Sequence, residues 1–210
     1  MESITTSSYA VHFNEKAFKA LNEKLFSSSY SKIFVLVDEN TKTHCLPLFK
    51  KQLSNSIAFE LIEIKSGEEH KNIAACNVVW QALSDLDADR KSLLINLGGG
   101  VLTDLGGFVA STYKRGIDFI NIPTTLLSMV DASVGGKTGV DLGSLKNQIG
   151  VINQPVMVLV ATGFLQTLDE RQMRSGFAEM LKHGLIQSKT YWEELKALPK
   201  LENLDGHIYK

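Results

Sequence analysis

Several features that assign proteins to specialised classes are missing from this sequence of 210 residues. It contains no run of basic residues, no signal-type N-terminus and no apolar segment of membrane-spanning length. The formal net charge is −1, which gives no electrostatic reason to expect binding to nucleic acid or to an anionic membrane. These absences predict neither a nucleic-acid nor a membrane partner, and they favour a cytoplasmic protein.

Cysteine is scarce, and the two that occur, Cys45 and Cys76, do not have metal-ligand spacing. They could pair, but two reduced thiols are the favoured interpretation in a cytoplasmic compartment. Internal repeats and low-complexity segments are also absent. The hydrophobic content of 44% and charged content of 21% are ordinary for a globular protein, and the length fits one large domain or one domain plus part of another.

Apolar runs alternate with helical patterns over most of the chain. The pattern predicts strands at 33–37, 57–64, 93–97, 119–122 and 156–160, with an edge strand around Tyr9 to Phe13. Helices are predicted at 15–26 after Asn14 as N-cap, at 41–53, behind a capping box at 66–69, and at 101–113. Strands that alternate with helices indicate an α/β fold, a Rossmann-like, mostly parallel sheet with flanking helices.

The pattern changes to helices alone from Gly163 onward. Residues 167–170 match another capping box, and helical periodicity continues through 177–187 and 190–197. We therefore expect an α/β domain over 1–162 and the first helices of an all-α second domain over 163–210.

The central motif is the apolar run Leu93–Leu97, which ends in three glycines, Gly98 to Gly100. Glycines at a strand end let the backbone turn tightly and approach a ligand, and the N-terminal amides of the next helix attract a pyrophosphate. Asp38 and Thr124 also directly follow strands, so they should share this rim of the sheet. A purely structural glycine turn is the alternative, because the motif departs from the usual G-x-G-x-x-G fingerprint.

A second glycine motif, Gly136-Lys137-Thr138, invites comparison with a P-loop. That loop requires a glycine five residues before Gly136, where this sequence has Asp131. A carboxylate in a phosphate-binding loop would repel the ligand, so the P-loop interpretation is disfavoured.

Charged residues near strand ends and on one late helix are further candidates. Arg115, Lys137 and Lys146 are each, taken alone, as well explained as solvated surface charges. Glu179 and Lys182 are three residues apart on a predicted helix, where a surface ion pair is the simple interpretation, although their neighbours are largely apolar. His183 lies one position off that face and is read as a core or surface histidine.

Taken together, these motifs resemble the 3-dehydroquinate synthase family. The resemblance extends in order from about Val35 to the end of the chain. Its segments are Gly98–Val101 with Asp104, Pro123–Leu127, Asp131–Gly139, Lys146–Gly150, and Ser175–Glu179 with Lys182.

The resemblance implies a lyase of the shikimate pathway. Such an enzyme converts 3-deoxy-D-arabino-heptulosonate 7-phosphate into 3-dehydroquinate and phosphate, with catalytic NAD and a divalent metal, zinc or cobalt. The implied partners are this small phosphosugar-acid substrate and a second copy of the chain in a homodimer.

Site residues follow from the same motifs. The expected NAD contacts are Asp38, Asn40, Glu68, Lys71, Gly99, Gly100, Asp104, Thr124, Thr125, Lys137, Lys146 and Thr167. The expected catalytic and substrate-holding residues are Arg115, Asp131, Lys137, Lys146, Asn147 and Lys182. Glu179 matches one of the family's three metal ligands.

One departure concerns the metal. The family's other two ligands are histidines further along the chain, and none of the five histidines here occupies such a place, so Glu179 is expected to be the only donor. The resemblance thus implies an incomplete and inactive fragment. A related sugar-phosphate cyclase, a glycerol-dehydrogenase-like enzyme and a non-catalytic nucleotide-binding fragment remain alternatives, although the pair Lys146-Asn147 favours dehydroquinate.

Overall fold

The computed structural model describes residues 2–198 and contains a seven-stranded sheet and a separate hairpin. The strands in chain order are β1 Ile4–Thr5, β2 Ala10–Phe13, β3 Ile33–Asp38, β4 Glu60–Ile64, β5 Leu93–Gly98, β6 Asp118–Pro123, β7 Lys137–Leu142, β8 Leu145–Ile152 and β9 Met157–Val160. The sheet order is β1-β2-β9-β6-β5-β3-β4, and only the β1–β2 pair is antiparallel among its described pairs. The predicted fold class is confirmed.

Helices cover both faces of this sheet. They are α1 Asn14–Ser27, α2 Glu39–His44, α3 Leu46–Gln52, α4 Ile73–Asp85, α5 Gly100–Thr112, α6 Glu170–Gln187 and α7 Lys189–Lys196. Shorter turns lie at Glu68–His70, Tyr113–Arg115 and Thr162–Thr167, and Ser128–Ala132 forms a π-helical turn. None of the helices within 2–198 is both long and apolar enough to cross a membrane.

The central strands are buried on both faces, which explains their largely apolar sequences. In β3, Val35 and Val37 join the core under α1 and α3, whereas Phe34 and Leu36 join the core under α4 and α5. Each fully buried side chain of this size contributes roughly 1.5–3 kcal/mol to folding. Cys45 and Cys76 are buried and free, as predicted.

The strand expected at the sheet edge is not at the edge. β2 lies between β1 and β9, and it pairs in parallel with β9, for example Val11 with Val158. The short β1 covers its other side, and it offers only two residues as the exposed border. The error arose because the first residues show only a weak alternation of apolar and polar side chains.

Three predicted helix caps are also wrong. Asn14 lies inside α1, and its Oδ1 accepts a hydrogen bond from the Thr162 amide at 3.0 Å. Helix α4 begins after Asn72, whose side chain accepts from the Ala75 amide, rather than behind Ser66. Helix α6 is capped by Asp169 and not by Thr167.

Two further differences concern element number. The helix predicted over 41–53 is two helices that meet at Cys45, because Pro47 in the first turn of α3 lacks the amide needed to continue a helix. The hairpin β7–β8 was not predicted. The boundary expected near residue 162 stays a prediction: beyond β9 the described residues are helical, and residues 199–210 lie outside the described part of the chain.

Candidate active site

The three glycines form the turn between β5 and α5. Gly99 caps α5, and the Thr124 amide donates to the Gly98 carbonyl at 3.0 Å, which fixes the end of β6 beside the turn. A Cβ at Gly99 would lie 3.0 Å from Thr125 Cγ2, and one at Gly100 would lie 3.3 Å from the Ala132 Cβ. The backbone is thus close to its neighbours yet half-exposed, and the first amides of α5 can receive a pyrophosphate there.

Other predicted cofactor residues lie on the same rim. Asp38 ends β3, and its Oδ1 accepts from the Thr41 amide at 2.7 Å, so this carboxylate caps α2, on which Asn40 is exposed. Burial raises the pKa of the Cys45 thiol, whereas hydrogen bonds with Thr124 and Thr167 act in the opposite direction. These bonds show that Thr167, from the turn after β9, lies beside Thr124.

A buried lysine joins the rim to the hairpin. The Lys71 ammonium donates to Asp104 Oδ2 at 2.5 Å and to Asn147 Oδ1 at 2.6 Å, and its side chain is only 5% exposed. Burial raises the pKa of Asp104, and the neighbouring Lys71 opposes that shift. One cation therefore ties α5, which carries Asp104, to β8, which carries Asn147.

The hairpin itself is fixed by backbone contacts around Lys71. The Asp141 amide donates to the Lys71 carbonyl at 2.9 Å, and the Asp141 side chain accepts from the Asn147 amide at 2.7 Å. Asn147 has a positive φ of 53°, a conformation that asparagine tolerates better than most residues. Lys146 pairs with Glu68 at 3.0 Å, and this hydrogen bond is the main reason that the pKa of Lys146 is raised.

The hairpin, α5 and the π-helical turn enclose a cavity of about 500 Å³. Asp104, Asp131, Lys137 and Asn147 all line it. The structure therefore brings three of the predicted substrate residues to one place, next to a predicted cofactor residue. Carboxylates, an ammonium and an amide around one opening can bind a polar ligand that carries both hydroxyl and anionic groups.

Helix α6 borders the π-helical turn that carries Asp131. A Cβ at Gly176 would lie 2.5 Å from the Leu126 Cβ, so only glycine allows this close approach. Glu179 on α6 accepts a hydrogen bond from Lys182, and this bond is the first cause of the raised pKa of Lys182, with Asp131 contributing electrostatically. Lys182 therefore faces both carboxylates.

A histidine that was not predicted as a site residue belongs to this group. His183 Nε2 lies 3.3 Å from Glu179 Oε1, and ligand atoms of Asp131, Glu179 and His183 all lie within 4.8 Å of one another. The expectation that Glu179 is the only metal donor in this chain stays a prediction, although two further possible donors lie beside it. The available signal was the four-residue spacing of Glu179 and His183, which places both on one helix face. Two carboxylates and an imidazole fit zinc or cobalt.

Arg115 was predicted to hold substrate, but it does not lie with Asp131, Lys137 and Asn147 at the cavity. It precedes β6, whereas the glycine turn follows β5, and the two strands run parallel in register from Leu93 with Asp118 to Gly98 with Pro123. Six residues of strand separate the two ends of the strands by about 20 Å. Arg115 thus lies near the amino ends of the strands, opposite the glycine turn and beside Arg90.

Fold and site together define a Rossmann-like α/β domain with a glycine-rich strand end, the class in which ligands bind beyond the carboxyl ends of parallel strands. Residues 61–175 match the family model described as "3-dehydroquinate synthase N-terminal". The chain belongs to the 3-dehydroquinate synthase family.

Curated relatives agree with this assignment. The chain is 47% identical over 171 residues to the 3-dehydroquinate synthase of Parabacteroides distasonis, covering 80% of this chain and 47% of the relative. It is 40% identical over 201 residues to that of Prochlorococcus marinus strain MIT 9211, covering 94% and 54%. The chain spans about half the length of the curated relatives it matches.

Solved structures show the same architecture. A 2-epi-5-epi-valiolone synthase from Streptomyces hygroscopicus, solved with NAD+ and Zn2+ bound, has a TM-score of 0.75 at 31% identity and covers 90% of this chain and 53% of that one. A 2-deoxy-scyllo-inosose synthase complexed with carbaglucose-6-phosphate, NAD+ and Co2+ has a TM-score of 0.76 at 24% identity, covering 88% and 51%, which supports the fold.

Proposed function

We propose that the protein acts as a 3-dehydroquinate synthase and that this chain supplies its NAD-binding surface and much of its substrate-binding surface. The observation that carries the proposal is the cavity in which Asp104, Asp131, Lys137 and Asn147 meet next to the glycine turn. The names of the curated relatives support the same activity.

In this proposal NAD lies along the carboxyl-end rim of the sheet. Gly99, Gly100 and the first amides of α5 receive the pyrophosphate, because neither glycine has a side chain of its own to shield the backbone. Asp38 and Asn40 lie at the neighbouring strand end, on the side expected for the adenosine ribose. Thr124, Thr125 and Thr167 lie on the other side of the turn, where the nicotinamide half would extend.

The substrate, which carries a phosphate and a carboxylate, would occupy the cavity between the hairpin, α5 and the π-helical turn. Lys137, Lys146 and Lys182 supply the charge-assisted donors that such anions require. Lys146 and Lys182 are paired with Glu68 and Glu179, so a substrate anion would share or replace a carboxylate at each ammonium. Asp131 and Asn147 would accept from or donate to substrate hydroxyls.

A divalent metal, held by Glu179, would supply Lewis-acid polarisation of substrate oxygens. The residues of this chain would orient the substrate against NAD, and the Lys71–Asp104–Asn147 contacts would keep the cavity wall fixed.

Calorimetry with NAD on the 210-residue chain tests the cofactor surface. Gly99→Ala places a Cβ on the approach to the backbone, 3.0 Å from Thr125 Cγ2, and should weaken NAD binding by about tenfold or more. The control Gly163→Ala, whose Cβ meets only Leu48 Cδ2 at 3.7 Å, should bind like the wild type.

A second variant separates blocked approach from simple strain. Thr125→Ser removes the methyl group that a Cβ at Gly99 would meet. If Gly99→Ala acts by closing the ligand's approach, adding Thr125→Ser should not restore binding. Unchanged NAD affinity in Gly99→Ala would reject the placement.

We also infer a homodimer. If Arg115 contacts substrate as its motif suggests, it does so outside the cavity of its own chain, whose lining does not include it. A second copy must then present it. Light scattering should give the mass of a dimer, and a monomer at all concentrations would contradict the inference.

A further inference from the structure

We propose that Tyr9 is a positioning residue for the candidate substrate cavity, and that it acts on Lys137 through the Gly135 amide. The inference rests on the proposed function, to which it adds a residue of the N-terminal segment. Tyr9 lies outside residues 61–175, the part of the chain that matches the family model, and it is 126 residues from Gly135 in sequence. The contact is therefore visible only in the folded chain.

A short irregular segment, residues 133–136, connects two side chains that line the cavity. Asp131 lies on the π-helical turn just before this segment, and Lys137 begins β7 just after it. Gly135 and Gly136 have positive φ values of 86° and 70°, which glycine adopts without a steric penalty. Two consecutive glycines also give the backbone extra conformational freedom, so contacts from outside the segment must fix its path.

Lys137 depends on this path more than the other lysines of the site do. Lys146 and Lys182 are each held by a carboxylate. The Lys137 side chain is exposed, and among residues 2–198 no hydrogen bond or ion pair holds its ammonium. The position of this ammonium in the cavity therefore follows the position of its own backbone.

The two ends of the segment are held by the body of the fold. At the first end, the buried Asn121 side chain of β6 donates to the Ser133 carbonyl at 3.2 Å. At the second end, the Asn153 amide donates to the Gly136 carbonyl at 2.9 Å. These contacts leave the middle of the segment, at Gly135, to be fixed by another group.

Tyr9 holds the middle of the segment. The Gly135 amide donates to the Tyr9 hydroxyl oxygen at 3.0 Å. A turn fixes the Tyr9 backbone in its place: the Thr6 amide donates to the Tyr9 carbonyl at 2.9 Å, and Thr6 Oγ1 accepts from the Tyr9 amide at 3.0 Å. The half-buried ring packs against the core under α1 and α3. Since a tyrosine side chain has only two χ angles, its hydroxyl is placed with little freedom.

The alternative explanation is that this hydrogen bond only secures the N-terminal residues. Loss of the hydroxyl would then loosen β1 and β2 and leave the cavity unchanged. Two measurements on the 210-residue chain separate the two explanations.

The first measurement is amide hydrogen exchange by NMR, without ligand. The Ser133 and Val134 amides donate to carbonyls of the π-helical turn at 3.1 and 3.2 Å. Tyr9→Phe removes one hydroxyl group and should speed exchange of both amides by about two- to tenfold, the worth of one hydrogen bond. Tyr30→Phe is the matched control, because the Tyr30 hydroxyl donates at 2.8 Å to Asp118, at the amino end of β6. Faster exchange confined to β1, β2 and the amide that lost its acceptor would overturn the proposal.

The second measurement is calorimetry of the NAD-saturated chain with 3-deoxy-D-arabino-heptulosonate 7-phosphate. Tyr9→Phe should weaken binding of this substrate by about two- to tenfold, and Tyr30→Phe should bind it as the wild type does. Lys137→Met should weaken binding as well. Adding Tyr9→Phe to Lys137→Met should have no further effect, because Tyr9 acts through an ammonium that is already absent.

The outcomes for the inference and for the proposed function are distinct. Equal substrate affinity in Tyr9→Phe and the wild type overturns the inference, and so does an equal loss of affinity with and without the Lys137 ammonium. If the wild-type chain itself binds no substrate, the proposed function is contradicted, and the exchange rates of Ser133 and Val134 alone decide whether Tyr9 holds the segment. Thermal unfolding confirms that each variant is folded.

Discussion

The rim of the parallel sheet and the β7–β8 hairpin contribute to the candidate site in different ways. The rim offers backbone: the glycine turn at Gly98–Gly100 follows a strand whose six residues are all buried. The hairpin offers side chains: β8 is exposed at nearly every position and carries Lys146 and Asn147. The rim is held by parallel pairing and a core on both faces, whereas the hairpin is held by polar contacts around Lys71 and by the buried Val140 of β7.

The two regions should therefore recognise a ligand in different ways. The backbone of the glycine turn recognises a ligand by shape and by fixed amides, and exposed side chains recognise it by charge. The two regions meet at Lys71, whose ammonium contacts one residue from each. Changes at Lys71, in the rim and in the hairpin should therefore have separable effects.

The largest effect is expected at Lys71. Lys71→Met leaves the buried Asp104 carboxylate without its cation and removes the donor to Asn147, which should lower the free energy of unfolding by about 3–5 kcal/mol. Chemical denaturation at pH 7 measures this. Lys65→Met, at an exposed position, is the control and should stay within about 0.5 kcal/mol of the wild type.

The same variant has a predicted pH dependence. Burial already raises the pKa of Asp104, and loss of Lys71 removes the main opposing influence, so the folded-state pKa should rise further. A raised carboxyl pKa gives stability that is present below the unfolded value, about pH 4, and is lost as pH rises through the folded value. The deficit should therefore shrink toward pH 4; a constant deficit would contradict this account.

The next largest effect on stability is expected from a change on the rim side alone. Alanine is favoured over glycine in a helix by about 1 kcal/mol, but a Cβ at Gly106 would lie 2.0 Å from Asn96 Oδ1. Overpacking of this kind costs roughly 1–3 kcal/mol, so Gly106→Ala should lower the thermal midpoint. Gly163→Ala, in ordinary contact with Leu48, serves as the control. A higher midpoint for Gly106→Ala would show that helix propensity outweighs the contact.

A smaller, local effect is expected from a substitution that disrupts the hairpin alone. A Cβ at Gly150 would lie 2.2 Å from the Thr138 carbonyl oxygen, which belongs to the paired backbone. Gly150→Ala should increase amide hydrogen exchange in β7 and β8 and leave β5 protected, since the sheet does not pair with the hairpin. Gln148→Ala in the same strand is the control. Equal loss of protection in β5 would mean that the two regions unfold together.

The smallest effect concerns the two thiols. Cys45 and Cys76 are buried, and burial raises the pKa of Cys76 to about 12. Both should remain unreactive toward a thiol reagent at pH 8 and become reactive after denaturation. An exposed cysteine introduced by Ser7→Cys gives the reference rate. Rapid labelling of the native wild type would show that the core under either helix opens easily.

The sheet could be predicted from sequence because its strands have a local signal. Ile33–Val37 is apolar throughout and Leu93–Leu97 is apolar except for Asn96, and each matches the observed strand to within one residue. The hairpin could not be predicted in this way, because β8 is exposed on both faces and shows neither an apolar run nor an alternating pattern. Its position depends on contacts with Lys71, which is distant in sequence.

The candidate site divides along the same line. The glycine turn consists of consecutive residues, and its place after a strand follows from the apolar run that precedes it. The proximity of Asp131 to Glu179 and His183 arises from the packing of α6 on the π-helical turn, which depends on Gly176 and has no local signature. Arg115 shows the reverse case, since its motif suggested the site and its strand end places it elsewhere.

The position of β2 has a consequence for synthesis on the ribosome. Val11 pairs in parallel with Val158, so the first long strand of the chain has no parallel neighbour until β9 has been translated. At roughly 5–20 residues per second, this delay is on the order of ten seconds. During that time β3, β5 and β6, which pair with one another in that order, can assemble first. The border strand β1, with exposed residues and only two positions, offers little to a neighbouring nascent chain while β2 waits for its partner.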